Sequence, residues 1–276
     1  MSKLGVLFVH GMGNQGPSYA DEMVEELKAR IDRCGADPTD IEFKAAYWGD
    51  LLNSREDSLL RRMRAQGELD WVRLRRDLVV SGFGDAIAYL GPATGESPYY
   101  GAIHARLETA LNELQEELET HEHAPVVIIA HSLGCAIASN YLWDAQHDTT
   151  WARGDSPLTR GETVAGFITM GCNLPLLSLA LPPSEVNAIT VPGQHAESAF
   201  KDKAAFREHA GWFNFYDPDD LLGYPLKPTS PSYEKNVRAD IAINAGPVWA
   251  AHTSYWTDND VTRPVAKHLA GLLRAI

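Results

Sequence analysis

The stretch "VVIIAHSLGCAIASNYL", residues 126 to 142, decides the fold, because one turn joins an apolar run to a helical pattern of small residues. Val126 to Ala130 are apolar without alternation, which is typical of a strand buried on both faces of a parallel sheet. A helix is predicted from Leu133 onward. Ser132 therefore stands at the junction, with Ala130 and Gly134 two positions to either side.

The serine at this junction has the setting of a nucleophile. A sharp strand-to-helix turn can expose a serine hydroxyl in a strained backbone conformation, provided that small residues two positions away let strand and helix approach closely. Ala130 and Gly134 meet that requirement, although Ala130 stands where glycine is commonest. The helix N-terminus would direct free N–H groups at a developing oxyanion. The simpler alternative is that Ser132 only caps the helix.

Alternating strand and helix patterns continue along the chain. One predicted helix begins near Pro17 and ends at Gly35, and another carries an apolar stripe from Ile103 to Leu118. This alternation predicts an α/β fold with a mostly parallel central sheet and helices on both faces. The further predicted strands are Leu4 to Val9, Ile41 to Trp48, Val164 to Met170, Trp212 to Tyr216 and Ile241 to Ile243.

Length and composition favour a single domain over residues 1–276. The chain has 276 residues, 45% of them hydrophobic, and no repeat or Gly/Ser linker divides it. Two insertions, about 49–100 and 173–210, interrupt the strand and helix pattern and could form a cap over a site. The first insertion holds arginines that could steer an anionic substrate or simply cover a solvated helix face: Arg61, Arg62, Arg64, Arg73, Arg75 and Arg76.

Charge and cysteine content exclude several classes of protein. The formal net charge of -13 argues against a nucleic-acid partner and against stable docking on an anionic membrane. Three cysteines without metal-ligand spacing argue against a disulfide framework or a structural zinc site. No stretch resembles a signal peptide or a membrane span, so we expect a cytoplasmic protein without stable membrane insertion.

A second glycine-bearing turn follows the first predicted strand. Glycines in "VHGMGNQG" let the chain turn tightly after Val9 and direct the backbone N–H of Met12 into a cleft. Together with the N–H of Leu133, it would complete an oxyanion hole. Residues 11–16 also fit the GxGxxG pattern of dinucleotide sites, but Pro17 follows them and the next strand ends without the required acid at a clear position.

These motifs resemble the α/β-hydrolase superfamily, and the "AHSLG" turn resembles the nucleophile elbow of small bacterial lipases. The resemblance implies the α/β-hydrolase fold and a catalytic serine, acid and histidine in that chain order. The acid should follow a late strand, where "WFNFYDPDDLLGY" offers Asp217, Asp219 and Asp220. Asp220 best matches the superfamily's spacing, and "DDLLGY" loosely resembles DDHD-type phospholipases. Asp217 is the second choice, and an Asp-Pro turn accounts for at least one of the three.

The base should lie after the final strand and before a C-terminal helix. His252 has that setting, with a helix predicted from about Val261 that Asp260 could cap. The alternative for His252 is a core histidine held by hydrogen bonds. His121 and His123 form an HxH pair, but without further ligands this pair predicts no metal site.

The resemblance implies a serine hydrolase that cleaves a carboxylic ester through an acyl-enzyme on Ser132. His252 would act as base and Asp220 would orient it, with neither metal nor organic cofactor. The substrate would be a small acyl ester and could be a lipid. Thioesterase, amidase or phospholipase activity would use the same residues. A non-catalytic binding protein on the same fold is the alternative from another class.

Overall fold

Six parallel strands form the centre of the protein. The computed structural model describes residues 2–12, 15–66, 84–90 and 97–276. The sheet has the order β2-β1-β3-β4-β5-β6, and every neighbouring pair is parallel. The strands are β1 (Leu4–Val9), β2 (Ile41–Ala46), β3 (Val126–His131), β4 (Val164–Met170), β5 (Gly211–Tyr216) and β6 (Val237–Ala242).

The strand order places a crevice at the carboxyl ends of β1 and β3. The chain leaves β1 for β2 on one side and then returns to form β3 on the other, with Val9 paired to Ala130. In open parallel sheets, ligands bind at such a reversal of strand order, beyond the carboxyl ends of the strands. Met12 follows β1 there, and Ser132 follows β3.

Helices cover both faces of the sheet, and each face has its own apolar core. Met23, Leu27 and Phe206 pack against one face, while Ile103 and Leu107 pack against the other. The helices in the described residues are α1 (Asp21–Arg33), α2 (Asp50–Gln66), α3 (Gly84–Leu90), α4 (Pro98–Glu117), α5 (Leu133–Gln146), α6 (Leu174–Leu177), α7 (Lys203–His209), α8 (Pro231–Asn236), α9 (Val248–Ser254) and α10 (Asn259–Ala275).

The parallel sheet with helices on both faces confirms the α/β prediction, although several element bounds differ. Helix α1 begins at Asp21 and not near Pro17, because Tyr19 is drawn over the strand ends by hydrogen bonds to the Phe8 and Ala46 carbonyls. Strand β2 ends at Ala46 because Trp48 turns away to bond His10. Strand β6 starts at Val237, earlier than predicted. It is the half-exposed edge strand, and its polar residues hide it from a search for apolar runs.

The two insertions are partly helical. The structure describes 49–66, 84–90 and 97–100 of the first, and 173–210 carries α6, α7 and short 3-10 turns. Residues 67–83 and 91–96 lie outside the described residues. Whether either insertion caps a site, and whether residues 1–276 form a single domain, stay predictions. No described helix combines the length and the apolar composition that a bilayer crossing needs.

Candidate active site

Ser132 occupies a strained turn between β3 and α5. Its φ of 54 and ψ of -126 lie outside the small left-handed region that residues other than glycine use. The turn is fixed by the Ser132 N–H, which donates to the Met170 carbonyl over 3.0 Å. The side chain makes no capping hydrogen bond to α5, which excludes the helix-cap alternative for the hydroxyl.

Two glycines allow the close approach that this turn requires. A Cβ on Gly134 would lie 2.5 Å from the backbone oxygens of Val9 and His10, so α5 can pack on the end of β1 only without a side chain there. A Cβ on Gly11 would lie 2.6 Å from the Ser132 Cβ. The loop after β1 therefore passes directly beside the serine.

The structure brings Ser132, His252 and Asp220 into one chain of hydrogen bonds. His252 Nε2 lies 2.8 Å from Ser132 Oγ. Its Nδ1 lies 3.0 and 2.9 Å from the two carboxylate oxygens of Asp220. Since a carboxylate only accepts, Nδ1 carries a hydrogen and donates it to Asp220, and in the neutral form of the imidazole Nε2 can accept the serine proton.

Asp220 is held by donors from three directions. Besides His252, the Leu222 N–H donates to Oδ1 over 2.9 Å and the Tyr255 hydroxyl donates to Oδ2 over 2.8 Å. Burial by itself raises the pKa of Asp220, but these hydrogen bonds and the nearby His252 imidazole outweigh it and bring the pKa below its ordinary value. The carboxylate is therefore ionised at neutral pH.

The other two aspartates have different positions. Asp217 is buried and caps backbone groups, accepting from the Asp219 N–H at 2.8 Å and from the Ala245 N–H at 2.5 Å. Asp219 is exposed. No described contact joins either of them to His252. Asp217 therefore stabilises the Asp-Pro turn, and Asp220 is the aspartate that contacts the imidazole.

His10 shapes the loop that carries Met12. Its Nδ1–H donates to the Gly11 carbonyl over 2.8 Å, and its Nε2 accepts from the Trp48 N–H over 3.2 Å. The ring stacks on Trp48 with centroids 4.6 Å apart, and burial lowers the pKa of His10 to about 4. A neutral imidazole thus fixes the backbone just before Met12. Leu133 is the first residue of α5, where helix N–H groups have no intrahelical partner.

Several residues at the site were not found from the sequence. Tyr255 bridges the two buried aspartates, since its hydroxyl also accepts from the Asp217 N–H over 2.9 Å. Gly171, with φ +53, and Gly223 leave the space that Asp220 fills, because a Cβ on either would lie within 3.1 Å of Oδ2. His131 contacts the main chain of His252. Of these residues, Gly171 could have been noticed in the sequence, because a glycine directly after β4 indicates a tight turn there.

The other candidate sites have no comparable geometry. No group of three or more His, Cys, Asp or Glu that could hold a metal occurs among the described residues, and His121 and His123 are exposed. Gly13 and Asn14 of the glycine pattern lie outside the described residues, and α1 begins only at Asp21. Of the arginines, Arg61 and Arg62 are exposed on α2. The side chains outside the described part are Arg64, Arg73, Arg75 and Arg76.

Comparison with protein-family models and with curated proteins finds no match. Among solved structures, a dienelactone hydrolase from Anabaena variabilis is 13% identical, with 99% of this chain and 86% of that chain covered and a TM-score of 0.42. The peroxisomal alpha-beta-hydrolase Lpx1 from Saccharomyces cerevisiae is 12% identical, with 99% and 77% covered and a TM-score of 0.43. A lipase-esterase related protein from Clostridium acetobutylicum is 14% identical, with 98% and 95% covered and a TM-score of 0.38.

Structural similarity at such low sequence identity does not indicate an activity for this protein. The fold is seen in the chain's own topology: a parallel sheet whose strand order reverses between β1 and β3, with a strained serine turn leading from β3 into α5. Both features are those that the sequence resemblance implies. The protein has the α/β-hydrolase fold.

Proposed function

We propose that the protein is a serine hydrolase that cleaves carboxylic esters through an acyl-enzyme on Ser132. The observation that carries the proposal is the pair of contacts at His252, with Nε2 2.8 Å from Ser132 Oγ and Nδ1 2.9 Å from Asp220 Oδ2. A serine hydroxyl is a weak nucleophile until a base within hydrogen-bond distance removes its proton. The orientation of His252 supplies such a base.

The reaction has two halves. His252 takes the Ser132 proton while Oγ attacks the acyl carbonyl, and the resulting imidazolium is stabilised by the Asp220 carboxylate. The imidazolium then protonates the leaving alcohol, so the ester C–O bond breaks and the acyl group stays on Oγ. Water, deprotonated by His252, attacks the acyl-enzyme, and the proton returns to Oγ as the acid is released.

The oxyanion of both tetrahedral intermediates would be held by backbone N–H groups. We assign these to Met12, beside Gly11 in the loop against Ser132, and to Leu133 at the start of α5. Gly11 supports this assignment, because its missing side chain leaves the loop close to the serine. Backbone donors fixed in advance stabilise the transition state without reorganisation during the reaction.

Exposed leucines in the loop after β5 and in the segment after β4 favour an apolar acyl group. Leu221, 71% exposed, directly follows Asp220, and Leu179 and Leu181, 79% and 51% exposed, lie in the segment after β4. The loop that carries Leu221 contacts the start of the segment after β4, where the Tyr224 N–H donates to the Cys172 carbonyl over 3.1 Å. Each methylene that these side chains remove from water would contribute up to about 0.8 kcal/mol to transition-state binding.

A fluorophosphonate probe and p-nitrophenyl esters test the proposal. We expect wild type to be labelled at Ser132 and to turn over the esters, with kcat/KM rising from acetate to octanoate. Ser132→Ala should fold normally and lose both reactions. Labelling or turnover by folded Ser132→Ala at the wild-type level would refute the assignment. Binding of an ester by wild type without turnover would favour the non-catalytic alternative.

A further inference from the structure

His131, the residue before the nucleophile, makes a hydrogen bond that the reaction scheme does not use. Its Nε2 lies 2.7 Å from the main-chain carbonyl oxygen of His252, and the two residues are 121 positions apart in the chain. A carbonyl oxygen can only accept, so Nε2 carries the hydrogen and donates. Burial, with the nearby His252 imidazole, lowers the pKa of His131 to about 3, which keeps the ring neutral at neutral pH.

This bond anchors the short helix that carries His252. Helix α9 spans seven residues, has no side-chain cap at its N-terminus, and follows Gly246 at φ 123. The carbonyl of His252 belongs to the last turn of α9, where carbonyls lack an intrahelical donor. His131 supplies that donor from the end of β3. Its ring also packs against the His252 ring, with centroids 4.9 Å apart.

The rest of the His131 side chain does not account for a histidine. Among the described residues, its buried Nδ1 has no hydrogen-bond partner, and the residue is 5% exposed. An apolar side chain of similar size would fill the space without leaving a buried polar atom unsatisfied. Within the described part of the chain, the polar contact of this side chain is therefore the hydrogen bond to the carbonyl of His252.

We propose that His131 is a positioning residue, which holds the main chain of His252 so that its imidazole stays at hydrogen-bond distance from Ser132. The role rests on the proposed function. Because His131 and Ser132 are consecutive, the turn that aims the hydroxyl also locates the base. A shift at the end of β3 then moves both groups together. Displacements of about 1 Å at reacting atoms can cost about 100-fold in rate.

The test compares two substitutions at position 131. Glutamine places an amide N–H about where the histidine Nε2–H lies, whereas leucine fills the space without a donor. We expect His131→Leu to lower kcat and the rate of fluorophosphonate labelling about 10- to 100-fold, with KM within about twofold of wild type. His131→Gln should recover kcat to within a few fold of wild type. Melting temperatures and circular dichroism spectra show whether each variant folds.

The outcomes separate this role from the proposed function. If folded His131→Leu keeps the wild-type kcat, or if His131→Gln is as slow as His131→Leu, the positioning role is overturned while the serine mechanism stands. If wild type itself neither labels nor turns over esters, the serine mechanism fails and the positioning role fails with it. Should His131→Leu not fold, His131→Asn replaces it, because its shorter amide cannot reach the carbonyl, and the same loss of kcat is expected.

Discussion

The three clustered aspartates give a sharp test, because only one of them contacts His252. In Asp220→Asn the side chain keeps its shape, but one carboxylate oxygen becomes an NH₂ group. Asp220 now accepts from His252 Nδ1, the Leu222 N–H and the Tyr255 hydroxyl, so an amide must place its NH₂ against at least one former donor. With the NH₂ in the Oδ2 position, it can donate to Nδ1 and so reverse the His252 tautomer, and the Leu222 N–H keeps its acceptor at Oδ1. The Tyr255 hydroxyl then loses its acceptor at Oδ2.

The reversed tautomer carries its hydrogen on Nε2, which faces Ser132 Oγ at 2.8 Å. It can donate to the serine but cannot take its proton. In a serine protease, the equivalent change lowers kcat by about 10⁴, or roughly 5.5 kcal/mol of transition-state stabilisation. We expect a loss of about that size for Asp220→Asn, with KM changed much less.

Asp217→Asn and Asp219→Asn are matched controls within four residues. Buried Asp217 accepts from two backbone N–H groups, so its substitution should lower the free energy of unfolding by about 1–3 kcal/mol and leave kcat within a few fold. Exposed Asp219 should tolerate the change in both respects. Steady-state ester hydrolysis and urea unfolding measure the two effects. If folded Asp217→Asn loses as much kcat as Asp220→Asn, or if Asp220→Asn keeps wild-type kcat, the role of Asp220 is wrong.

Three further predictions concern stability. Ser132→Gly should melt at or above Ser132→Ala, because relief of about 1–3 kcal/mol of strain exceeds the entropic cost of glycine; the reverse order would show that the turn is unstrained. Gly134→Ala should lose about 2 kcal/mol or more in urea unfolding, because its Cβ would meet backbone oxygens at 2.5 Å, whereas Gly84→Ala, whose Cβ would meet no atom of the described residues within 4 Å, should not. Four histidines have lower pKa values in the folded protein than in the unfolded chain, so their contribution to the free energy of unfolding is complete above about pH 6.5. That free energy falls by about 1.4 kcal/mol per pH unit for each histidine as the pH drops toward the folded pKa values. The folded pKa values are about 4 for His10 and His268 and about 3 for His104 and His131. Urea unfolding at pH 7.5 and at pH 5 measures the fall, and equal free energies of unfolding at the two pH values would contradict the prediction.

Local sequence patterns account for what depends on neighbouring residues. Apolar runs identify the buried strands, and the small residues around Ser132 predict its turn, because both follow from steric limits within a few positions. The setting after a late strand singles out His252 in the same way. Strand β6 is harder to find, since its polar residue Asp240 accepts hydrogen bonds from the Leu226 and Lys227 N–H groups.

Contacts between distant segments could not be derived in this way. Nothing near Tyr255 in the sequence indicates that its hydroxyl lies between Asp217 and Asp220. The choice among the three aspartates likewise depends on side-chain direction after β5, which spacing alone does not determine. The bond from His131 to His252 joins residues 121 positions apart and requires the registry of the whole sheet. Such contacts are properties of the assembled fold.

The distribution of strain supports a functional role for the turn at Ser132. In the described residues, the non-glycine positions with positive φ are His121, Ser132 and Asp148. His121 and Asp148 are exposed and of types that tolerate this conformation. Ser132 is buried and has a ψ of -126. A glycine at this position would relieve the strain, and no helix cap would be lost, because the Ser132 side chain does not cap α5. A chain selected only for stability would not keep a strained serine there, whereas a nucleophile aimed at His252 requires that residue at that place.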